Sequence, residues 1–92
     1  ESSSLSASAQ AGQATYDQAC TVCHSSGMAG APRLGDKPDW EIRVGTGMET
    51  LYGNAINGFQ GAKGMMPAKG GQTQLSDEQV RNAVDFMVES SR

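Results

Sequence analysis

This chain has few residues from which to build a hydrophobic core. Leu, Ile, Val and Phe together number only thirteen among 92 residues, about 14% of the chain, and chains below roughly 20% often stay disordered. The apolar runs are a few residues long, far short of the about twenty that a membrane-spanning helix needs, so we expect no membrane span. With a net charge of −3, self-repulsion is not the difficulty, and we expect no nucleic-acid partner.

The chain is equally poor in metal ligands, and it concentrates them in one place. Its two cysteines and its single histidine are Cys20, Cys23 and His24. This is the C-x-x-C-H pattern of c-type haem attachment, in which two thiols one helical turn apart add to the two vinyl groups of one porphyrin and the adjacent imidazole binds the iron. We therefore predict one covalently attached haem c with its iron.

Three other interpretations of the cysteine pair are weaker. A zinc site needs four ligands, and this chain cannot supply a second pair. A thioredoxin-like redox pair needs strand–helix–strand patterning, and no run rich in Val, Ile or aromatic residues is present. A Cys20–Cys23 disulfide would close too short a loop to hold a domain together. A haem would also provide the apolar body that so short a chain needs as part of its core.

The second axial ligand of the iron must be sought elsewhere, because no second histidine exists. Met66 is the preferred candidate, since Pro67 restricts it towards extended geometry within a glycine-rich loop. Met65 is the alternative. It is also possible to interpret both methionines as side chains that fill gaps beside the haem.

Short helices and glycine-rich loops are predicted along the chain. Residues 1–10 are interpreted as a flexible tail, or as a linker to a membrane tether, and 11–92 as one domain. Ser76 and Gln79 form a capping box before a clear apolar stripe. The predicted helices are Ala11–Cys20, Pro38–Val44 capped by Asp36, Met48–Asn57 and one that begins after Ser76, and 58–71 is predicted to be an irregular loop.

In the order and spacing of its motifs the sequence resembles class I cytochromes c, and in particular the bacterial cytochrome c5 group. The resemblance covers about Gly12 to Ser90, nearly the whole chain. The segments that carry it are Cys20–His24, Ala31–Lys37 with Trp40, Met48–Leu51, Met65–Gly71 and Leu75–Asp77.

This resemblance implies an all-α fold around one haem, His24/Met66 ligation, and a role as an electron carrier, not an enzyme. It also implies that the Pro32 carbonyl accepts a hydrogen bond from His24, and that Gly12 and Phe86 mark the contact between the first and last helices. Because class I haems are attached outside the cytoplasm, we expect a periplasmic protein whose signal peptide has been removed, acting as a monomer.

The remaining candidates concern the haem propionates and the redox partners. Trp40, Arg43 and Tyr52 are candidate propionate donors. A transient encounter with a donor and an acceptor protein would use a small apolar patch and a locally positive loop. The residues proposed are Met28, Ala29, Gly30, Met65 and Ala68 for the patch and Lys63 and Lys69 for the loop. The alternatives are a gas-binding or peroxidatic haem domain, or the haem module of a larger oxidase or reductase.

Overall fold

The computed structural model describes residues 5–27, 31–61 and 64–92. Within these ranges, short helices surround a cavity, and a pair of very short strands lies in the loop after the fourth helix. The elements are α1 (Ala7–Thr15), a π-helical turn (Tyr16–Cys20), α2 (Thr21–His24), α3 (Lys37–Val44), α4 (Met48–Asn57), β1 (Phe59–Gln60), β2 (Met65–Met66), a 3₁₀ turn (Ala68–Gly71) and α5 (Asp77–Ser90).

The last helix, α5, forms as its sequence predicts. The Ser76 hydroxyl accepts a hydrogen bond from the Gln79 backbone at 3.1 Å, and the Gln79 side chain accepts one from the Ser76 backbone at 2.8 Å. Leu75 before the cap and Val80 in the first full turn are both buried, the arrangement of a hydrophobic staple. The predicted stripe is buried along its whole length: Val80, Ala83, Val84, Met87 and Val88.

The first helix begins at Ala7 instead of Ala11, so the prediction of a flexible tail over 1–10 is wrong for 7–10. Ser6 caps this helix by accepting a hydrogen bond from the Ala9 backbone at 3.2 Å. Ser6 also donates its backbone N–H and its hydroxyl to the Glu89 carboxylate on α5, at 2.8 and 2.7 Å. These polar contacts, together with the full burial of Ala9, stabilise the first turn of α1, which the helix propensities of its residues alone do not indicate.

Helices α1 and α5 cross in close contact. A Cβ atom added to Gly12 would lie 1.9 Å from the Asn82 carbonyl oxygen, so only glycine permits this approach. The Tyr16 and Phe86 rings pack beside the crossing with centroids 5.2 Å apart. The predicted contact of the first and last helices at Gly12 and Phe86 is confirmed.

The middle of the chain follows the predictions until the loop after α4. Asp36 caps α3 by accepting a hydrogen bond from the Asp39 backbone at 3.3 Å, and α4 has the predicted bounds. The loop 58–71 is not wholly irregular, because Phe59 pairs with Met66 and Gln60 with Met65 in an antiparallel ladder. Two-residue strands leave no periodicity that a sequence could display.

Within the three described ranges, no helix is both long enough and apolar enough to cross a membrane.

Candidate haem-binding site

A cavity of about 380 Å³ lies between the cysteine-bearing turn, α3, α4 and β2. Its walls are mostly apolar, which suits a large flat ligand with few polar groups. The cavity brings together Cys20, Cys23 and His24 with Met66, which lies in a distant part of the sequence. Further wall residues are Ala19, Pro32, Leu51, Ala55, Val84 and Met87.

His24 is oriented for metal binding by a backbone carbonyl. Its buried ring donates Nδ1–H to the Pro32 oxygen at 2.8 Å, as the resemblance implied, and this leaves Nε2 for a ligand. A second hydrogen bond joins the 31–34 segment to His24, because Leu34 donates its backbone N–H to the His24 carbonyl at 2.7 Å. Burial lowers the pKa of His24, against a smaller opposite effect of the Pro32 bond, so the neutral, metal-binding imidazole is favoured.

The two thiols line the cavity and are not joined to each other. Burial, and to a lesser extent the neighbouring Cys23, raises the pKa of Cys20 to about 11. Redox-active C-x-x-C pairs have the opposite property, a thiol whose pKa is lowered. Cys20 thus lacks the lowered pKa of such pairs, and the position of both thiols beside His24 in one cavity suits thioether attachment.

Met66 and Met65 differ in their surroundings, although both border the cavity. Met66 is half-buried and packs against the core, whereas the Met65 side chain is 64% exposed. The strand alternation of β2 explains the difference, since neighbouring residues point to opposite faces. Of the two, Met66 has the position of an internal ligand.

Trp40 is buried against the cavity, but its indole N–H is already in use. Nε1 donates to the Arg33 carbonyl at 2.8 Å, so this donor is engaged within the chain, and the propionate contact of Trp40 stays a prediction. The indole instead packs beside the His24 ring, with centroids 6.2 Å apart. Trp40 thus fixes the 31–34 segment whose Pro32 carbonyl orients His24.

Tyr52 does not line the cavity, so nothing in the geometry supports its propionate contact, which stays a prediction. Its hydroxyl donates to Asp85 Oδ1 on α5 at 2.5 Å, and Ser8 of α1 donates to the other oxygen of the same carboxylate at 2.7 Å. The bond to Asp85 raises the pKa of Tyr52 to about 12. Tyr52 therefore ties α4 to the α1–α5 pair.

Arg43 is the one predicted propionate donor with a charged side chain that borders the cavity. Its Nε contacts Asp39 one turn earlier at 3.1 Å. Three amide side chains that sequence reasoning missed join it on the walls: Gln18, Asn54 and Gln72. Only Asn54 had a sequence signal, its place one turn after Leu51 on α4.

The predicted positive loop is not found at Lys69. The Lys69 ammonium donates to the Leu75 carbonyl at 2.7 Å and contacts Asp77 at 3.1 Å, so its charge is directed at the protein itself. Among the other residues predicted for partner contact, Met65 is exposed and Ala68 is half-buried, whereas Lys63, Met28, Ala29 and Gly30 lie outside the described residues.

Taken together, the helical fold and a cavity with two free thiols beside an oriented imidazole define a site for a covalent haem. Comparison with known proteins agrees. Residues 7–87 match the family described as cytochrome c oxidase, cbb3-type, subunit III. Cytochrome c-555 of Chlorobaculum tepidum is 55% identical over 91% of this chain and 78% of its own length, and cytochrome c5 of Ectopseudomonas mendocina is 34% identical over 74% and 76%.

A solved structure, the cytochrome c in an electron-transfer complex with nitrite reductase, superposes with a TM-score of 0.79. It is 38% identical and covers 96% of this chain and 99% of its own. The chain therefore belongs to the class I c-type cytochromes, small monohaem proteins that carry covalent haem c and transfer electrons. The predicted fold class, cofactor and electron-carrier role are confirmed. The relatives of this chain are electron-transfer proteins, not enzymes.

Proposed function

We propose that Cys20 and Cys23 hold the haem as thioethers, that His24 and Met66 ligate its iron, and that the protein passes single electrons between redox proteins of the periplasm. The observation that carries this proposal is the His24–Pro32 bond of 2.8 Å inside a cavity that Met66 also lines. A histidine held in this tautomer presents Nε2 to a metal, and such a partner tunes the basicity of the ligand.

The bound haem supplies the one-electron iron couple, and the chain supplies its ligands and its dry surroundings. Two protein ligands leave no open iron position, which favours electron transfer over gas binding or peroxidatic chemistry. Met/His ligation raises the reduction potential. Trp40, Ala55, Val84 and Met87 keep water from the cavity walls, which further favours the less charged, reduced site.

Arg43 and Asn54 are the proposed propionate partners. Both border the cavity, from α3 and α4 respectively. Arg43 offers planar, permanently charged donors suited to carboxylates, and the Asn54 amide offers two further N–H groups. The contact of Arg43 with Asp39 on the same helix favours one rotamer of the Arg43 side chain.

Replacing Met66 by Ala tests the ligation directly. We expect the variant to lose the weak red methionine–iron absorption band, to bind imidazole or cyanide readily, and to have a lower reduction potential. The matched control is Met65→Ala, which removes the same thioether from the exposed neighbour and should change none of these. If Met65→Ala is the variant that loses the band, Met65 and not Met66 is the ligand. If the parent itself lacks the band, the iron has no methionine ligand, and gas binding or peroxidatic chemistry becomes the better-supported function.

We assign partner docking to an apolar face formed by Val22, Phe59 and Met65. All three border the cavity and are exposed, Val22 by 69% and Phe59 by 44%. A face of three exposed apolar side chains suits a brief redox encounter. The solved relative in complex with nitrite reductase supports a redox enzyme as one partner.

Docking through this face is tested by Val22→Ser, with Ile42→Ser as its control. Ile42 is 74% exposed but does not border the cavity. We expect Val22→Ser to slow bimolecular electron transfer to a periplasmic redox enzyme several-fold at any ionic strength, and Ile42→Ser to leave the rate unchanged. Equal rates in both variants would place docking elsewhere on the surface.

A further inference from the structure

Lys69 holds a backbone conformation that its side chain disfavours. Its φ of 53° and ψ of 31° lie in the left-handed region, which glycine occupies readily and which other residues avoid because of their Cβ atom. Among the described residues it is the non-glycine with a positive φ, and the glycines Gly70 and Gly71 that follow it share this region. A lysine at such a position needs a compensating side-chain contact.

The contacts of the Lys69 side chain supply that compensation. Its ammonium donates to the Leu75 carbonyl at 2.7 Å and reaches Asp77 Oδ1 at 3.1 Å, and the side chain is only 19% exposed. Asp77 is largely exposed, so this ion pair contributes little by itself. The principal contact is the charge-assisted bond to Leu75, a buried residue fixed by the staple with Val80.

The loop that Lys69 fastens is the one that carries Met66. On its other side, Gly70 lies so close to the cysteine-bearing turn that a Cβ atom would be 2.5 Å from the Ala19 carbonyl oxygen. Met66 and Lys69 border one small void together with Leu75 and Val80. The strand contact with Phe59, the Ala19 approach and the Lys69 bond thus hold the segment from three sides.

We propose that Lys69 is the positioning residue of Met66, acting through the Leu75 carbonyl. This inference rests on the proposed function, in which Met66 is the axial ligand. A thioether is a weak ligand with three rotatable bonds, and it stays on iron only if its loop is already ordered. The α5 N-terminus, itself ordered by the capping box, is the anchor that Lys69 uses.

The test compares two Lys69 variants with a matched control in the haem-loaded, oxidised protein. Lys69→Leu removes the ammonium, and Lys69→Gly removes it while relieving the backbone strain, so a folding defect does not obscure the result. Lys37→Leu removes an equal charge from an exposed lysine at the start of α3. The readouts are the methionine–iron absorption band, the reduction potential and the dissociation constant for imidazole.

We expect both Lys69 variants to bind imidazole about tenfold more tightly, which corresponds to the loss of one charge-assisted hydrogen bond. Their methionine band should weaken and their potential fall, whereas Lys37→Leu should match the parent. Asp77→Asn, which leaves the Leu75 bond in place, should have a much smaller effect. Parent-like imidazole binding in both Lys69 variants would overturn this inference alone, while a parent without the band would overturn the Met66 ligation itself.

Discussion

The two sides of this molecule are packed by different means. On one side, α1 and α5 approach so closely that Gly12 meets the Asn82 backbone, and Ala9 and Ala83 are completely buried. On the other side, α3, α4 and the strand pair surround a cavity of about 380 Å³. Ile42, Phe59 and Met65 on that side are exposed.

The difference shows where the haem contributes to folding. The α1–α5 pair completes its packing with protein atoms, whereas the apolar walls of the cavity complete theirs on the haem. Substitutions on the first side should therefore change stability and leave the iron unaffected. Substitutions on the second that leave the haem attached should change the spectrum and the potential more than the stability.

The largest expected effect comes from removing the haem. A Cys20→Ala/Cys23→Ala chain should show weak helical circular dichroism and no cooperative thermal transition, because thirteen large aliphatic or Phe residues cannot offset the ordering entropy of the domain. Any residual helix should belong to α1 and α5. A compact apo-protein that melts cooperatively would contradict the role of the cofactor as half of the core.

The next largest effect is expected at the helix crossing. Gly12→Ala places a Cβ atom 1.9 Å from the Asn82 oxygen, so α1 and α5 must separate, at a cost of about 3 kcal/mol. Gly53→Ala is the matched control, since its Cβ meets nothing within 4 Å in the middle of α4, and it should stabilise by about 0.5–1 kcal/mol. Denaturant unfolding measures both, and the methionine band should be unchanged in each. A Gly12→Ala protein as stable as the parent would show that the crossing is not tightly packed.

Tyr52 joins the two sides, and its removal should cost less. Tyr52→Phe breaks the bond to Asp85 and should lower the free energy of unfolding by about 1.5 kcal/mol at pH 7. Tyr16→Phe is the control, because the buried Tyr16 hydroxyl has no partner among the described residues, and this change should cost nothing.

The Tyr52 bond also predicts a pH dependence. Its pKa is raised from an ordinary value of 10.0 to about 12 in the folded protein, so the folded state holds the proton more tightly. The stabilisation is complete below pH 10 and is lost as the pH rises towards 12. Stability measured across this range should fall less steeply in Tyr52→Phe than in the parent; equal slopes would show that the phenol does not titrate with unfolding.

The smallest effect on the iron that should still be measurable is expected from Trp40→Phe. It removes one neutral hydrogen bond, to the Arg33 carbonyl, and part of a buried ring, and should cost about 2 kcal/mol of stability. Because this bond fixes the segment that holds His24, the reduction potential should shift by a small measurable amount, which distinguishes it from Tyr52→Phe. An unchanged potential would remove Trp40 from the set of residues that orient the histidine.

Local patterns in the sequence were sufficient for much of this structure. The cofactor follows from five consecutive residues, Cys20–His24, because covalent attachment needs only their spacing. The start of α5 follows from Ser76 and Gln79, since a capping box is completed within four residues. The Met48–Asn57 helix was found for the same reason, by its spacing of apolar residues.

Only the tertiary structure decided which partner each long polar side chain takes. Tyr52 bonds Asp85, 33 residues away. Trp40 and Lys69 bond the carbonyls of Arg33 and Leu75, which are near in sequence but are brought within reach only by the folded loops between them. A donor on a helix surface has many acceptors within reach of the folded chain, and the choice among them depends on how helices dock. The early start of α1 has the same cause, because Glu89 completes the cap from the other end of the chain. Sequence determined the chemistry that is local, and packing determined everything that required two distant segments to meet.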